Sequence, residues 1–221
     1  AVTNHPCVYL DLSHLDPDFV RSRFPHIGRV CADFGLDIAS DQIPVRPGAH
    51  YMIGGVTVDA DGQTSLPGLL AAGEVTSTGL HGANRLGGNS LSDLLVFGKL
   101  SGDGAIEYAE KLDSLPAIDE GRVQELMREA TAPLNREEGS NPYLIQEKLQ
   151  QIMQDCVGIV RNAEDLQKGL DELEKLREEA KTVKAHASAQ YNPGWNVALD
   201  LRNLIVTAEA VTRAALLREE S

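Results

Sequence analysis

An α/β region followed by an all-α region is what these 221 residues predict. Three observations carry it. From His50 to Ala72 short apolar runs alternate with glycine turns, the pattern of strands joined by tight connections. From Ser92 onward apolar residues recur at helical spacing. Beyond Pro116 the composition turns to Glu, Lys, Gln and Leu, and the rest of the chain reads as helix.

The length allows one large domain or two small ones with a sizeable core. A formal charge of -13 argues against nucleic acid as a partner, because phosphate binding needs a basic surface. No apolar run approaches the roughly 18 residues of a membrane span. Ala1 to Cys7 lacks the charged and apolar regions of a secretory signal. Cys7, Cys31 and Cys156 are widely spaced, fit no metal-ligand pattern, and read as reduced structural thiols.

In chain order, Val8 to Leu12 alternates as a short strand, and Asp16-Pro17 is an N-cap with proline at the first helical position. The helix that follows is interrupted at Pro25, which implies a kink or two short helices. Asp41 to Pro47, with two prolines, reads as a linker, and what precedes it as a domain tail too short for its own core. Val56 to Val58 alternates as a strand, and Asp61-Gly62 predicts a hairpin turn. Leu66-Pro67-Gly68 is a second turn, and Leu69 to Ala72 a short buried strand. Ser92 to Leu112 is a predicted helix whose Gly98, Gly102 and Gly104 mark close approach of another backbone.

Three helices are expected in the last part. One starts at Asn141-Pro142 with the stripe Ile145, Leu149, Ile152, Cys156, and a second carries Leu166, Leu170, Leu173 and Leu176 behind Glu164-Asp165. The third carries Val197, Leu201, Leu204, Ala208, Val211 and Ala215, and together they form an antiparallel bundle.

The chemistry concentrates in Leu70 to Phe97. Gly73-Glu74 ends a strand with a glycine that admits a ligand and a carboxylate that accepts hydroxyl hydrogen bonds, although an acid in an ordinary turn fits the dipeptide as well. Asn89-Ser90-Leu91 opens a helix, whose unpaired amides and dipole favour anionic or electron-rich atoms. Gly87-Gly88 lets a planar ligand come close to the backbone. Arg85 can grip a carboxylate through two parallel hydrogen bonds, or form a surface salt bridge. His50 and His81 are ligand or packing candidates between which sequence does not choose.

In order along the chain, His50-Tyr51-Met52-Ile53-Gly54-Gly55, Gly73-Glu74 and His81-Gly82-Ala83-Asn84-Arg85-Leu86-Gly87-Gly88-Asn89-Ser90-Leu91 resemble the succinate dehydrogenase/fumarate reductase flavoprotein family, which includes L-aspartate oxidase. The likeness extends to Val8 to Leu12 and to Asn192-Pro193-Gly194-Trp195. It implies the C-terminal part of a longer polypeptide. Residues 1–44 would finish a capping domain, 45–115 the C-terminal part of an FAD-binding Rossmann-like domain, and 116–221 a three-helix domain.

By the same resemblance, His50, Arg85, Gly87 and Gly88 hold the carboxylates of succinate or fumarate, and Glu74, Asn89, Ser90 and Leu91 hold FAD. The implied activity is oxidation of succinate to fumarate, or the reverse, by hydride transfer to FAD. Electrons would pass to an iron–sulfur subunit and quinone, with membrane anchor subunits holding the complex at the cytoplasmic face of the membrane. The G-x-G-x-x-G fingerprint of the family is not in these residues, and its proton-transferring arginine is expected upstream of Ala1. Val45-Arg46-Pro47 and Leu10 to Leu15 resemble L-aspartate oxidases, while Asn89 to Gly98 and the Asn192 to Trp195 segment lean towards succinate dehydrogenase. A catalytically silent fragment is the reading of a different class.

Overall fold

The computed structural model describes residues 7–46, 48 and 50–219. Ala1 to Pro6 and Pro47, which figure in the sequence reading, lie outside the described residues. The chain forms two compact units, Ala1–Leu115 and Pro116–Ser221.

The first unit begins with β1 (Val8–Leu10), followed by α1 (Pro17–Arg23) and α2 (Pro25–Asp33). Asp16 caps α1 by accepting from Phe19 N at 2.8 Å, with Pro17 at the first helical position. Pro25 splits the helical stretch in two, since its ring displaces the helical backbone before it and it starts α2. The expected linker is in part a strand. β2 (Ile43–Val45) pairs antiparallel with β1, in the register Val8↔Val45, Tyr9↔Pro44, Leu10↔Ile43. Pro44 hid it, yet a two-stranded ribbon consists of edges, where a missing N–H is tolerated. The expected boundary at residue 44 thus falls inside β2. The segment also has a small core of its own: Val20, Ile38 and Ala39 are buried against Leu12, Leu15, Phe24 and Ile43.

After His50 the backbone takes shape around glycines. β3 (Val56–Thr57) pairs in parallel with β4 (Thr76–Ser77), which follows a 3-10 turn at Gly73–Val75. Gly55 has φ +147°, and a Cβ there would sit 2.1 Å from the Val75 carbonyl oxygen. Gly73, at φ +78°, would push a Cβ to 2.3 Å from Leu94 Cδ2. At Gly55 the obstacle is backbone and only glycine fits, whereas at Gly73 the positive φ favours glycine and the Leu94 side chain would have to move.

The tight turn at Asp61-Gly62 forms, with Asp59 Oδ1 accepting from Asp61 N and Gln63 N. It does not fold β3 back into a hairpin, because the β3 ladder is used by β4. The antiparallel return is a single bridge, Gln63↔Leu70, closed around the Leu66–Gly68 turn. The expected buried strand at Leu69 to Ala72 is reduced to that bridge, and Leu69 is 47% exposed.

α3 (Asn89–Glu110) opens at Asn89-Ser90-Leu91 as expected, three residues ahead of the apolar periodicity that begins at Ser92. Its N-cap is Gly88 at φ 88°, with no side-chain cap, and not Asn89. A Cβ on Gly104 would meet Leu70 Cδ2 at 3.2 Å, whereas Gly98 and Gly102 face open space, so close approach explains one glycine of the three.

The second unit has α4 (Glu120–Asn135), α5 (Pro142–Cys156), α6 (Ala163–Ala180) and α7 (Pro193–Leu217). Sequence reading expected three helices; α4 is a fourth among the described residues of this unit. α5, α6 and α7 pack up-down-up: Ser140, just before α5, bridges Val183, just after α6, while Gly169 in the first half of α6 faces Cys156 at the end of α5 and Thr212 near the end of α7. Asn141, Asn162 and Asn192 cap their N-termini. The core holds Ile145, Leu149, Leu173, Leu176, Leu201 and Ile205. On α7 the expected stripe holds at Leu201 and Ala208, which are buried, and at Val197, Val211 and Ala215, which pack on the core; only Leu204, 37% exposed, gives its place to Ile205, 1% exposed. α4 is tied to α7 by Trp195 Nε1, which donates to the Ala130 carbonyl at 2.7 Å.

Candidate functional site

The glycine-rich crossing gathers its chemistry on Tyr51. This residue lies in the coil between His50 and β3, and one carboxylate holds that coil in place: Glu74 Oε1 accepts from Met52 N at 2.9 Å. A carboxylate has lone pairs for further donors, so this bond does not exhaust Glu74, which is exposed. His50 is exposed at the start of the same coil.

Arg85 places its Cζ 4.3 Å from the Tyr51 ring centroid, a cation–π contact. Its Nε is buried and has no hydrogen-bond partner. His81 meets Tyr51 edge-on, with ring centroids 6.0 Å apart and planes at 85°. On its other side His81 Nε2 lies 3.3 Å from Asp93 Oδ2 of α3. Tyr51, His81 and Gly82 line a cavity of about 100 Å³ with Gly54 and the Thr76 to Gly79 strand end. His81 also lines a neighbouring cavity of about 290 Å³ with Asn89, Asp93 and Phe97.

The start of α3 is the second feature. Gly88, in the left-handed region, turns the chain into the helix without offering its amides a side-chain cap. An uncapped N-terminus leaves donors and a positive dipole end for a ligand. Ser90 Oγ, one residue into the helix, is buried and unpartnered. Gly87 and Gly88 leave open space beside the backbone, and Leu91 is 68% exposed. The stranded Ser90 hydroxyl, the stranded Arg85 Nε and the uncapped helix start fit a large polar-edged, flat-faced ligand such as a flavin. No group of acids, histidines and cysteines among the described residues could hold a metal ion.

Of the residues singled out from sequence, Arg85, Ser90 and Gly88 fall at this site, Glu74 braces it, and His50 stands next to Tyr51. Two residues were overlooked. Tyr51 was read only as part of a motif, and it is the ring on which His81 and Arg85 meet. Asp93 was passed over in the apolar run Leu91 to Phe97, where it is 4% exposed. A lone acid on an apolar helix face was the available signal, because buried acids occur only with partners.

Glycine-shaped backbone, an uncapped helix start and an arginine over a tyrosine ring thus lie close together in the first unit. Residues 1–91 match the FAD binding domain family, and residues 146–221 the fumarate reductase flavoprotein C-terminal family. The chain is 37% identical to the L-aspartate oxidase of Pseudomonas aeruginosa, over 97% of this chain and 38% of that protein. It is 36% identical to the fumarate reductase flavoprotein subunit of Escherichia coli, over 97% of this chain and 36% of that protein. Among solved structures, Mycobacterium smegmatis Sdh1 in complex with UQ1 superposes with a TM-score of 0.90 at 40% identity, covering 99% of this chain and 37% of that one. The chain belongs to the succinate dehydrogenase/fumarate reductase flavoprotein family, whose cofactor is FAD. It spans about two-fifths of the length of the relatives it matches.

Proposed function

We propose that this chain is the C-terminal part of a flavoprotein subunit that interconverts succinate and fumarate. The observation that carries the reading is Arg85: its guanidinium is laid on Tyr51 with a buried Nε left unpartnered. A fixed, unspent guanidinium beside an uncapped helix start suits a dianionic substrate next to a flavin.

In this reading Arg85 and His50 take the substrate carboxylates, and Gly87 and Gly88 leave room for them. Glu74 takes the sugar-like hydroxyls of FAD, and Asn89, Ser90 and Leu91 face its ring. When bound, FAD supplies the partner that exchanges an electron pair with substrate. Arg85 contributes orientation, holding the carbon–carbon bond of the dicarboxylate in one pose, while the donors at the start of α3 stabilise negative charge that develops beside them. The fumarate reductase relatives are flavoprotein subunits, which fits a multi-subunit assembly; in this reading the partners are an iron–sulfur subunit and membrane anchor subunits, with this polypeptide peripheral at the cytoplasmic face. No helix among the described residues is long and apolar enough to cross a membrane.

L-aspartate oxidase is the second reading, favoured by the 37% identity to the Pseudomonas aeruginosa enzyme. Turnover assays with a polypeptide of the relatives' length that carries this chain separate the two. Succinate or fumarate turnover is expected, and L-aspartate oxidation in its place would reassign the protein. Arg85→Ala should lower kcat/KM for the dicarboxylate on the order of a thousandfold. Unchanged kcat/KM would overturn the assignment.

A further inference from the structure

We propose that the His81–Asp93 pair is a positioning device, which acts through the Tyr51 ring to fix the plane of the Arg85 guanidinium. It rests on the reading of Arg85 as the group that grips the substrate carboxylate, and it adds residues that this reading leaves without a task.

The contacts run in one line. Asp93 is rooted in α3 and 4% exposed, and its Oδ1 is buried without a partner. Its Oδ2 lies 3.3 Å from His81 Nε2, and the His81 side chain is only 11% exposed. A carboxylate accepts, so the bond requires a proton on Nε2, and it sets the rotation of the ring. The His81 ring then stands at 85° to Tyr51 with centroids 6.0 Å apart, a T-shaped contact that resists rotation of the phenol. Arg85 lies over the same ring at 4.3 Å.

An arginine side chain has many rotamers, and its value as a carboxylate clamp depends on the plane of its fork. Stacking selects that plane, and the Tyr51 plane is in turn selected by His81. Burying a half-satisfied carboxylate is costly. Asp93 would not stand in the apolar run of α3 for helix stability alone, because an apolar residue there would serve packing better. His81 lines both the cavity that Tyr51 lines and the cavity that Asp93 lines, which puts the imidazole at the junction of the two.

The test is a double-mutant cycle on a polypeptide of the relatives' length carrying this chain, loaded with FAD. Binding of malonate, a non-reacting dicarboxylate, is read by calorimetry, and flavin occupancy by absorbance. Asp93→Asn should weaken malonate roughly tenfold when Arg85 is present. In the Arg85→Lys background, where there is no planar fork to orient, the same change should cost less than about twofold. Flavin occupancy should be the same in all four proteins. Equal losses in both backgrounds, no loss in the first, or flavin occupancy that falls in parallel would each overturn the proposal. If Asp93→Asn does not fold, Tyr51→Leu carries the same test with the same expected pattern. Failure of the unsubstituted protein to bind malonate would instead sink the dicarboxylate reading itself.

Discussion

In the Pro116–Ser221 unit, Ile145, Leu173, Leu201 and Ile205 are at most 1% exposed, whereas Leu91, Leu95 and Val96 of α3 are 68%, 76% and 54% exposed. Both stretches are strongly apolar, but they use it differently. The helical unit buries its stripes against one another, and its stability comes from side-chain packing. The glycine-rich segment and α3 hold shape mainly through backbone conformation and leave Leu91, Leu95 and Val96 unpacked within this chain. A packed core tolerates surface change and punishes cavities. A backbone-shaped site tolerates loss of surface methyls and punishes an added Cβ where another stretch of backbone lies against the glycine, as at Gly55.

The largest expected effect lies in the core. Leu173, 1% exposed between α5 and α7, should cost about 4 kcal/mol as Leu173→Ala, because the bundle can collapse onto the cavity only in part. Calorimetric unfolding checks it. Leu95→Ala, on an exposed position of α3, should change stability by less than about 0.5 kcal/mol, and a comparable loss at both would erase the contrast between the two regions.

Next comes the backbone. Gly55→Ala forces a side chain into a conformation with φ +147° and a Cβ 2.1 Å from the Val75 carbonyl oxygen. A loss of about 2–3 kcal/mol is expected. Gly35→Ala, at φ +75° with nothing within 4 Å, should cost only about 1 kcal/mol. Equal effects would mean that the β3–β4 approach gives way, and that this part of the fold is softer than its glycines imply.

The sequence made the locally encoded features legible and the long-range ones not. The caps at Asp16 and Asn141 and the stripes of α5 and α6 were readable because partner and signal lie within one or two turns. In α7 Leu204 and Ile205 stand side by side, and periodicity matches both. Only the position of α6 selects the second. β2 was hidden by Pro44. At the site, the order of motifs pointed to Glu74, Arg85 and Ser90. The ring on which Arg85 rests and the acid behind His81 depend on how glycines at positions 79, 82 and 88 turn the chain, with φ of 77°, 58° and 88°. No spacing rule encodes that path.

A smaller effect sharpens the comparison at the ends of the helices. Asn192 is 9% exposed, accepts from Trp195 N, and donates to the carbonyls of His186 and Ser188. Asn192→Ala removes the α7 cap and two loop anchors, for an expected loss of about 2 kcal/mol by thermal unfolding. In α3 nothing equivalent exists to remove, because Gly88 offers no side-chain cap. Gly88→Asn should therefore leave stability within about 1 kcal/mol, since asparagine both caps well and tolerates the left-handed region. It should lower flavin retention if those amides belong to the cofactor.

The smallest effect concerns charge in the first unit, where Arg21 Nη2 meets Asp37 Oδ2 at 2.7 Å on the rim of the Val20 cluster. The Arg21 hydrogen bond, and then the Ala39 amide, hold the Asp37 carboxyl below its ordinary value of 3.8. Because the folded pKa is the lower one, the pair's contribution is fully present above the unfolded carboxylate pKa. It is lost as pH falls through the folded value. Both side chains are substantially exposed, at 51% and 41%, so solvent and salt screen the gain. Asp37→Asn should leave the melting temperature near neutrality lowered by no more than a degree or two. It should also flatten the decline of stability below about pH 4. The slope of melting temperature against pH in the two proteins decides it: parallel slopes would mean that Arg21 and Asp37 are no more engaged in the folded chain than in the unfolded one. The small core of this segment would then rest on Val20, Ile38 and Ala39 alone.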